Sequence, residues 1–289
     1  MALHGWIGLA ILIVSETAML ARFEPFWTWH TPFAWTGYIV LVDAIVYRKR
    51  GSSWLTRDFR EFLFLAVVSI PLWVVFEGYN LLIRNWHYIN LPPNPVVRYL
   101  GYAWAFATIS PAIFETAELV AVLRGSSKGA PRGRPAVVRT SDPKRLVSVE
   151  LSTIDYVFLV AGMAMLLLPI IWPSPYLAAP VFLGFIFLID PVNAWSGDES
   201  LIGDHRKGSH ERLKNLLIAG FICGGLWEFW NFWARAKWIY TVPILSDIKI
   251  FEMPLLGYFG FPPFAVECFT MYILVRRLFW RRPGRQIGV

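Results

Sequence analysis

The sequence predicts an all-α membrane protein with about eight transmembrane helices, arranged as two parallel four-helix repeats. Composition, the spacing of apolar runs and an internal duplication predict it. Of 289 residues, 56% are hydrophobic and only 16% are charged, with a mean hydropathy of +0.48. An average soluble domain is about a quarter charged and a little under half apolar. The apolar excess therefore faces lipid.

A helix that crosses a bilayer needs about 20 apolar residues. Runs of that order occur at 3–21, 31–47, 61–84, 99–123, 153–172, 177–195, 213–235 and 254–275. The first lies where a secretory signal would, but it lacks a basic leading region and a small-x-small cleavage site. The run at 153–172 takes the equivalent place in the second half, so the first run is read as a helix. The length remaining leaves no room for a large soluble domain. Cys223 and Cys268 are the only cysteines, both inside apolar runs, so there is no disulfide framework and no CxxC motif.

The net charge of +7 comes from 27 Lys and Arg against 20 Asp and Glu. The cations are interleaved between apolar runs and not gathered on one soluble face, which excludes a nucleic-acid partner. With eight spans, 21 of the 27 fall in the segments after the second, fourth, sixth and eighth. They include Arg48, Lys49 and Arg50, the linker at 124–145, the loop at 206–214 and the tail at 276–285. Cytoplasmic loops carry the positive excess, so the expectation is a multi-pass protein of the cell (inner) membrane with both termini cytoplasmic.

Self-comparison supplies the third observation. Gly37 to Asp43 (GYIVLVD) matches Gly184 to Asp190 (GFIFLID) at an offset of 147. Phe76-Glu77-Gly78-Tyr79-Asn80, followed by Arg84, Trp86 and Tyr88, matches Trp227-Glu228-Phe229-Trp230-Asn231, followed by Arg235, Trp238 and Tyr240, at 151 to 152. Pro111 and Glu115 match Pro263 and Glu267 at 152. The halves are then 1–123 and 151–289, joined by a basic cytoplasmic linker at 124–150 rich in Gly, Ser and Pro. Four helices per half make the repeats parallel, with shared groups expected along their interface.

Duplicated acids inside apolar helices call for a reason, because Asp at a bilayer centre costs about 2.5 to 3.5 kcal/mol on insertion scales. The paired acids are Asp43 and Asp190, Glu77 and Glu228, and Glu115 and Glu267; Glu16 and Glu118 are unpaired extras. Asp43 and Asp190 lie near cytoplasmic helix ends and suit interhelical hydrogen bonding. Glu77, Asn80 and Arg84 share one helical stripe, as do Glu228, Asn231 and Arg235. Pro111 and Pro263 precede Glu115 and Glu267 by four residues, which permits a bend beside each acid. Aromatic residues make up 17% of the chain. Trp86, Tyr88, Trp238 and Tyr240 are read as interfacial belts. Trp73, Phe76 and Tyr79 lie near Glu77, Trp227 and Trp230 near Glu228, Trp104 and Phe114 near Glu115, and Phe264 near Glu267. An acid among ring faces suits protonation of a carbon-carbon double bond, the rings stabilising the cation.

Walker, HExxH, GxSxG and GxGxxG motifs are missing, and the five histidines do not cluster as haem or di-iron sites need. The loop holding Asp198, Glu199, Asp204, His205, His210 and Glu211 is read as a mixed-charge solvated loop in preference to a divalent-metal site. No metal and no cofactor is expected.

The Glu helix, the Trp-x-Tyr loop and the Pro-plus-Glu helix together resemble the small membrane lycopene cyclase domains, which occur as heterodimers or fusions. The similarity covers about 50 residues in each half. Phe76-Glu77 and Trp227-Glu228 stand where that family has Trp-Asp. Pro111 with Glu115 and Pro263 with Glu267 stand where it has Pro-x-Glu-Glu, here as Pro-x3-Glu with a single acid. The resemblance implies a cofactor-independent membrane enzyme of carotenoid-like isoprenoid chemistry, an intramolecular lyase or isomerase. Its substrate is a membrane lipid or isoprenoid, with Glu115 and Glu267 as proton donor and acceptor and Glu77 and Glu228 as supporting acids. Asn80, Asn231, Arg84, Arg235, Trp104, Trp227, Trp230, Tyr79, Phe114 and Phe264 are the expected substrate-binding residues. The alternative is a proton-coupled transporter or channel using the same carboxylates, and a third reading is a non-catalytic scaffold.

Overall fold

In the computed structural model, which describes residues 2–125, 151–280 and 284–289, nearly every apolar run becomes a helix because lipid offers the backbone no partner other than itself. The first half runs α1 (Leu3–Leu20), α2 (His30–Arg50), α3 (Trp54–Arg57), α4 (Phe59–Ile83), β1 (Trp86–Ile89), α5 (Pro95–Ala107) and α6 (Ile109–Arg124). The second runs α7 (Thr153–Ile171), α8 (Ala178–Trp195), α9 (Leu201–Arg206), α10 (Glu211–Trp233), β2 (Lys237–Tyr240), β3 (Lys249–Ile250), β4 (Met253–Pro254) and α11 (Phe261–Phe279). Apart from Gly125, the expected linker at 124–150 lies outside the described residues beyond Arg124.

Among the described residues, seven stretches are long and apolar enough to cross a membrane: Leu3–Leu20, Phe59–Ile83, Pro95–Arg124, Thr153–Ile171, Pro175–Trp195, Glu211–Trp233 and Leu255–Phe279. The eighth expected span, at 31–47, forms the 21-residue α2 but is too polar to count with them. The physical reason is its place in the fold. His30, Thr31 and Trp35 are buried in α2's first half, and the helix packs against α1, α6, α10 and α5, so protein, not lipid, surrounds much of it.

The expected span at 99–123 is two helices, broken at Thr108. Ser69 on α4 bridges the break, donating from Oγ to the Phe106 carbonyl at 2.6 Å and accepting from the Ser110 N–H at 3.1 Å. Pro111 and Pro263 therefore stand in the opening turns of α6 and α11 and do not bend a helix from inside. A first turn has no internal acceptor for its N–H groups, so proline fits there without loss.

The outer helix pairs are held by close backbone approach. A Cβ added to Gly8 on α1 would stand 2.5 Å from the Leu41 nitrogen and 2.7 Å from the Gly37 carbonyl oxygen. On α7, a Cβ on Gly162 would meet the Gly184 carbonyl oxygen at 2.8 Å. Asp43 accepts from Ser53 Oγ at 2.7 Å and the Leu55 N–H at 2.9 Å, anchoring α3. Asp190 accepts from the Leu201 and Ile202 N–H groups at 2.9 and 2.8 Å, anchoring α9.

The ends of the bundle differ. At the end carrying Arg48 to Arg50, buried ion pairs tie the halves together. Arg276 reaches Glu61 at 3.4 Å and Glu199 at 2.8 Å, Arg212 reaches Glu199 at 2.8 Å, and Arg285 reaches Asp58 at 2.8 Å and Glu118 at 3.2 Å. Residues 284–289 lie in this network, with Ile287 fully buried. At the opposite end, β1 and β2 pair antiparallel, with Trp86 opposite Tyr240 and Tyr88 opposite Trp238.

Replacing Gly8 with Val forces α1 off α2 and costs about 1–3 kcal/mol, as overpacking does; a thermal melt in detergent shows it as a lowered midpoint. The same change at Gly78, where an added Cβ meets nothing within 4 Å, leaves the midpoint unchanged. Arg276→Ala leaves buried Glu61 without its guanidinium partner, while Glu199 keeps Arg212, and costs about 3–5 kcal/mol, read in the same melt.

Candidate functional site

Glu77 and Asn80 lie one turn apart on α4, so both meet the strand that follows. Asn80 Oδ1 accepts from the Asn85 and Trp86 N–H groups at 2.9 and 3.2 Å, and its Nδ2 donates to the Trp86 carbonyl at 2.8 Å. Asn231 on α10 accepts from the Trp238 N–H at 2.9 Å and donates to the Trp238 carbonyl at 2.8 Å. These asparagines clamp the two strands of the ribbon in place.

The clamp brings the strand side chains onto the acids. Glu77 Oε1 accepts from Tyr88 Oη at 2.6 Å, Trp73 Nε1 at 2.8 Å and Trp86 Nε1 at 3.2 Å. Glu228 Oε1 accepts from Tyr240 Oη at 2.9 Å, and Tyr240 accepts in turn from Trp238 Nε1 at 2.9 Å. Glu228 Oε2 is buried without a hydrogen-bond partner among the described residues. Burial, and then the neighbouring Glu77, push the Tyr88 phenol well above its ordinary value; burial and Glu228 do the same for Tyr240. Both phenols therefore stay protonated and act as donors.

Beneath the ribbon is a cavity of about 480 Å3, its wall overwhelmingly apolar. Tyr88 and Tyr240 line it with Trp86 and Trp238. Its deep end is a packed ring cluster in which Phe264 meets Trp73 at 5.6 Å, Phe182 at 5.9 Å and Trp227 at 5.9 Å. Trp35 packs on Trp227 at 5.1 Å, the rings tilted by 53°. Walls come from both halves: α2, α5 and β1 from the first, and α8, β2 and the turn before α11 from the second.

Of the residues expected from the sequence, Trp227 and Phe264 line this cavity. The four expected catalytic acids do not. Glu77 and Glu228 stand directly behind its tyrosines. Glu115 and Glu267 are fully buried, with no hydrogen-bond partner for either oxygen among the described residues. Glu267 sits about one turn beyond Phe264, away from the lining. Asn80 and Asn231 hold the strands. Arg84 is exposed, and Arg235 pairs with Glu24 at 2.9 Å above the Trp27 ring. Trp104 donates to Thr36 at 3.1 Å, Trp230 to Glu16 at 2.8 Å and Tyr79 to the Leu166 carbonyl at 3.1 Å, while Phe114 packs on Tyr272. These six residues lie outside the cavity lining.

The sequence reading placed Trp86, Tyr88, Trp238 and Tyr240 in interfacial belts, whereas they join the acids to the cavity. Their signal was present: they repeat at an offset of 152, within one residue of the 151 that relates Glu77 to Glu228, and a generic belt has no need of so close a match. In the 195–214 loop, Asp198 pairs with Arg277 at 2.8 Å, Glu199 with Arg212 and Arg276, Asp204 with Arg212 at 3.3 Å and Glu211 with Lys214 at 3.0 Å. No known protein family, no curated protein and no solved structure matches the chain.

The phenol burial has a direct readout. At pH 10, where an ordinary tyrosine is about half ionised, the wild type and a Tyr88→Phe/Tyr240→Phe variant show equal tyrosinate absorbance. A smaller signal in the variant means that these hydroxyls are open to solvent.

Proposed function

We propose that this is an integral membrane enzyme that moves protons on and off a carbon-carbon double bond of an isoprenoid, carotenoid-like lipid, causing cyclisation or isomerisation. One observation carries the reading: an aromatic cavity at the seam of the two halves, bounded by two tyrosines that each hydrogen-bond to a carboxyl group on a membrane helix.

The chemistry follows from that arrangement. With substrate bound, the Tyr240 hydroxyl turns from Glu228 Oε1 to an alkene carbon and gives it the proton, while Glu228, protonated on Oε1, restores a proton to the phenol oxygen. The ring faces of Trp35, Trp227 and Phe264 stabilise the resulting cation. A proton then leaves the adjacent carbon to Tyr88, which passes its own proton to Glu77. The three donors on Glu77 Oε1 suit a carboxylate base, and Glu228, with one donor on Oε1 and none on Oε2, suits an acid. The product has the substrate's atoms and oxidation level, so no redox partner is needed, and exchange with water takes one proton from Glu77 and returns one to Glu228 between turnovers. Substrate-binding roles go to Trp227 and Phe264, and Glu115 and Glu267 act from behind the lining.

The cavity falls within the ~300–1,000 Å3 of ordinary ligand sites, enough for one end of a long chain. Exposed Tyr176 and Phe259 on its rim let the remainder lie in lipid.

The same proposal takes the chain as two parallel four-helix repeats with a pseudo-two-fold along the membrane normal. Matching glycine contacts in α1–α2 and α7–α8, matching aspartate anchors for α3 and α9, and the self-complementary register of β1 and β2 support it. The charge asymmetry supports cytoplasmic termini in the inner membrane, with the ribbon on the far side.

The test incubates purified protein in detergent with an acyclic polyene in deuterated water and follows the product's absorption spectrum and deuterium content. Turnover with deuterium gained at carbon is expected, and Tyr240→Phe or Glu228→Gln slows it about 100-fold or more, the usual scale of general acid catalysis. An unchanged polyene together with proton-driven uptake into proteoliposomes overturns the reading in favour of a transporter.

A further inference from the structure

The apolar cavity has one polar feature that the proton chemistry leaves unused. Asn85, between α4 and β1, lines it and is 2% exposed, yet neither its amide nitrogen nor its amide oxygen has a hydrogen-bond partner among the described residues. On α2, Thr31 and Trp35 line the same cavity, 7% and 1% exposed, and Thr31 Oγ1 and Trp35 Nε1 are likewise unpartnered. A buried polar atom left without a partner costs roughly 1–3 kcal/mol. Four such atoms on three residues of one cavity wall point to a ligand that supplies the missing bonds as their side chains turn to meet it.

Charge narrows what that ligand carries. Lys237 is the only charged residue among those lining the cavity, and its ammonium pairs with Glu252 at 2.5 Å. An anionic head group finds no free counter-charge there. Asn85 offers both a donor and an acceptor, Thr31 a hydroxyl and Trp35 a donor. A hydroxyl group, which donates once and accepts twice, matches that set; a bare hydrocarbon leaves it unsatisfied.

The position also breaks the likeness of the two halves. Between Arg84 and Trp86 the first half has Asn85, whereas between Arg235 and Trp238 the second has Ala236 and Lys237. The polar anchor is therefore on one side only.

Building on the cavity reading above, we infer that the ligand is an amphiphile: an isoprenoid chain ending in a neutral hydroxyl, with that oxygen held by Asn85 and supported by Thr31 and Trp35. The single anchor orients the chain, so that one chosen double bond lies between Tyr88 and Tyr240.

The test titrates detergent-solubilised protein with three probes and reads quenching of tryptophan emission from the cavity wall. The probes are geranylgeraniol, the hydrocarbon of the same skeleton without the hydroxyl, and geranylgeranyl diphosphate. The ratio of alcohol to hydrocarbon affinity is compared between wild type and Asn85→Leu, which cancels micelle partitioning. Loss of the anchoring bonds lowers that ratio about tenfold in the variant, from roughly 1–1.5 kcal/mol. Thr31→Val, which keeps the side-chain shape, lowers it about threefold on the same scale and serves if the leucine variant does not fold. A ratio equal in all three proteins, as when water already satisfies Asn85, overturns the inference while leaving the cavity reading intact. Tightest binding of the diphosphate also overturns it. Absence of quenching by every probe overturns the cavity reading and this inference with it.

Discussion

Polar groups at membrane depth must find their partners inside the protein, and on α4 and α10 those partners come from the strands that follow. Asn80 and Asn231 take up strand backbone groups, and Glu77 and Glu228 take up strand hydroxyls and indoles. A two-stranded hairpin alone is marginal in water. Here each strand is pinned at one residue by an asparagine and at another by an acid, so the ribbon has one register. That register sets Tyr88 and Tyr240 over the cavity, and with it the direction of any proton that passes from acid to ligand.

The two ends of the bundle divide the work. At the basic end, arginines and acids from both halves close the structure, and Arg276 bridges Glu61 of the first half and Glu199 of the second. Breaking such a buried network is costly because one charge is left uncompensated, so this end holds the halves in fixed relation. The ribbon end carries the cavity, the exposed apolar rim and the unpartnered Asn85. Rigidity at one end lets a cavity built from two halves keep its shape at the other.

Much of this was legible in the sequence, for physical reasons. Seven spans stand out because lipid demands long unbroken apolar runs. The eighth expected span forms the helix α2, but protein contacts allow it to hold His30, Thr31 and Trp35, and it is too polar to count with the seven. Glu77 and Glu228 stood out because an acid costs too much in lipid to recur idly. Glu115 and Glu267 stood out by the same logic, but one-dimensional spacing does not say which face of a helix meets a cavity. The prolines were harder still: Pro111 looks like an interior residue of a long run until Thr108 breaks the helix and makes it part of a first turn.

Tyr88 and Tyr240 illustrate the remaining gap. Aromatic residues near the end of a span have an adequate explanation in the membrane interface, and that explanation hid a better one. A belt residue needs only depth. A residue that hydrogen-bonds to a named acid needs depth, register and face, and the near-equal offsets of Trp-x-Tyr (152) and Glu (151) point to such a requirement. Asn85 escaped for the opposite reason, since it is not duplicated and self-comparison passes over whatever one half holds alone. On the proposed reading, a duplicated chain that handles an asymmetric chain molecule departs from its own repeat somewhere. The unmatched polar residue in an apolar cavity is where that departure shows.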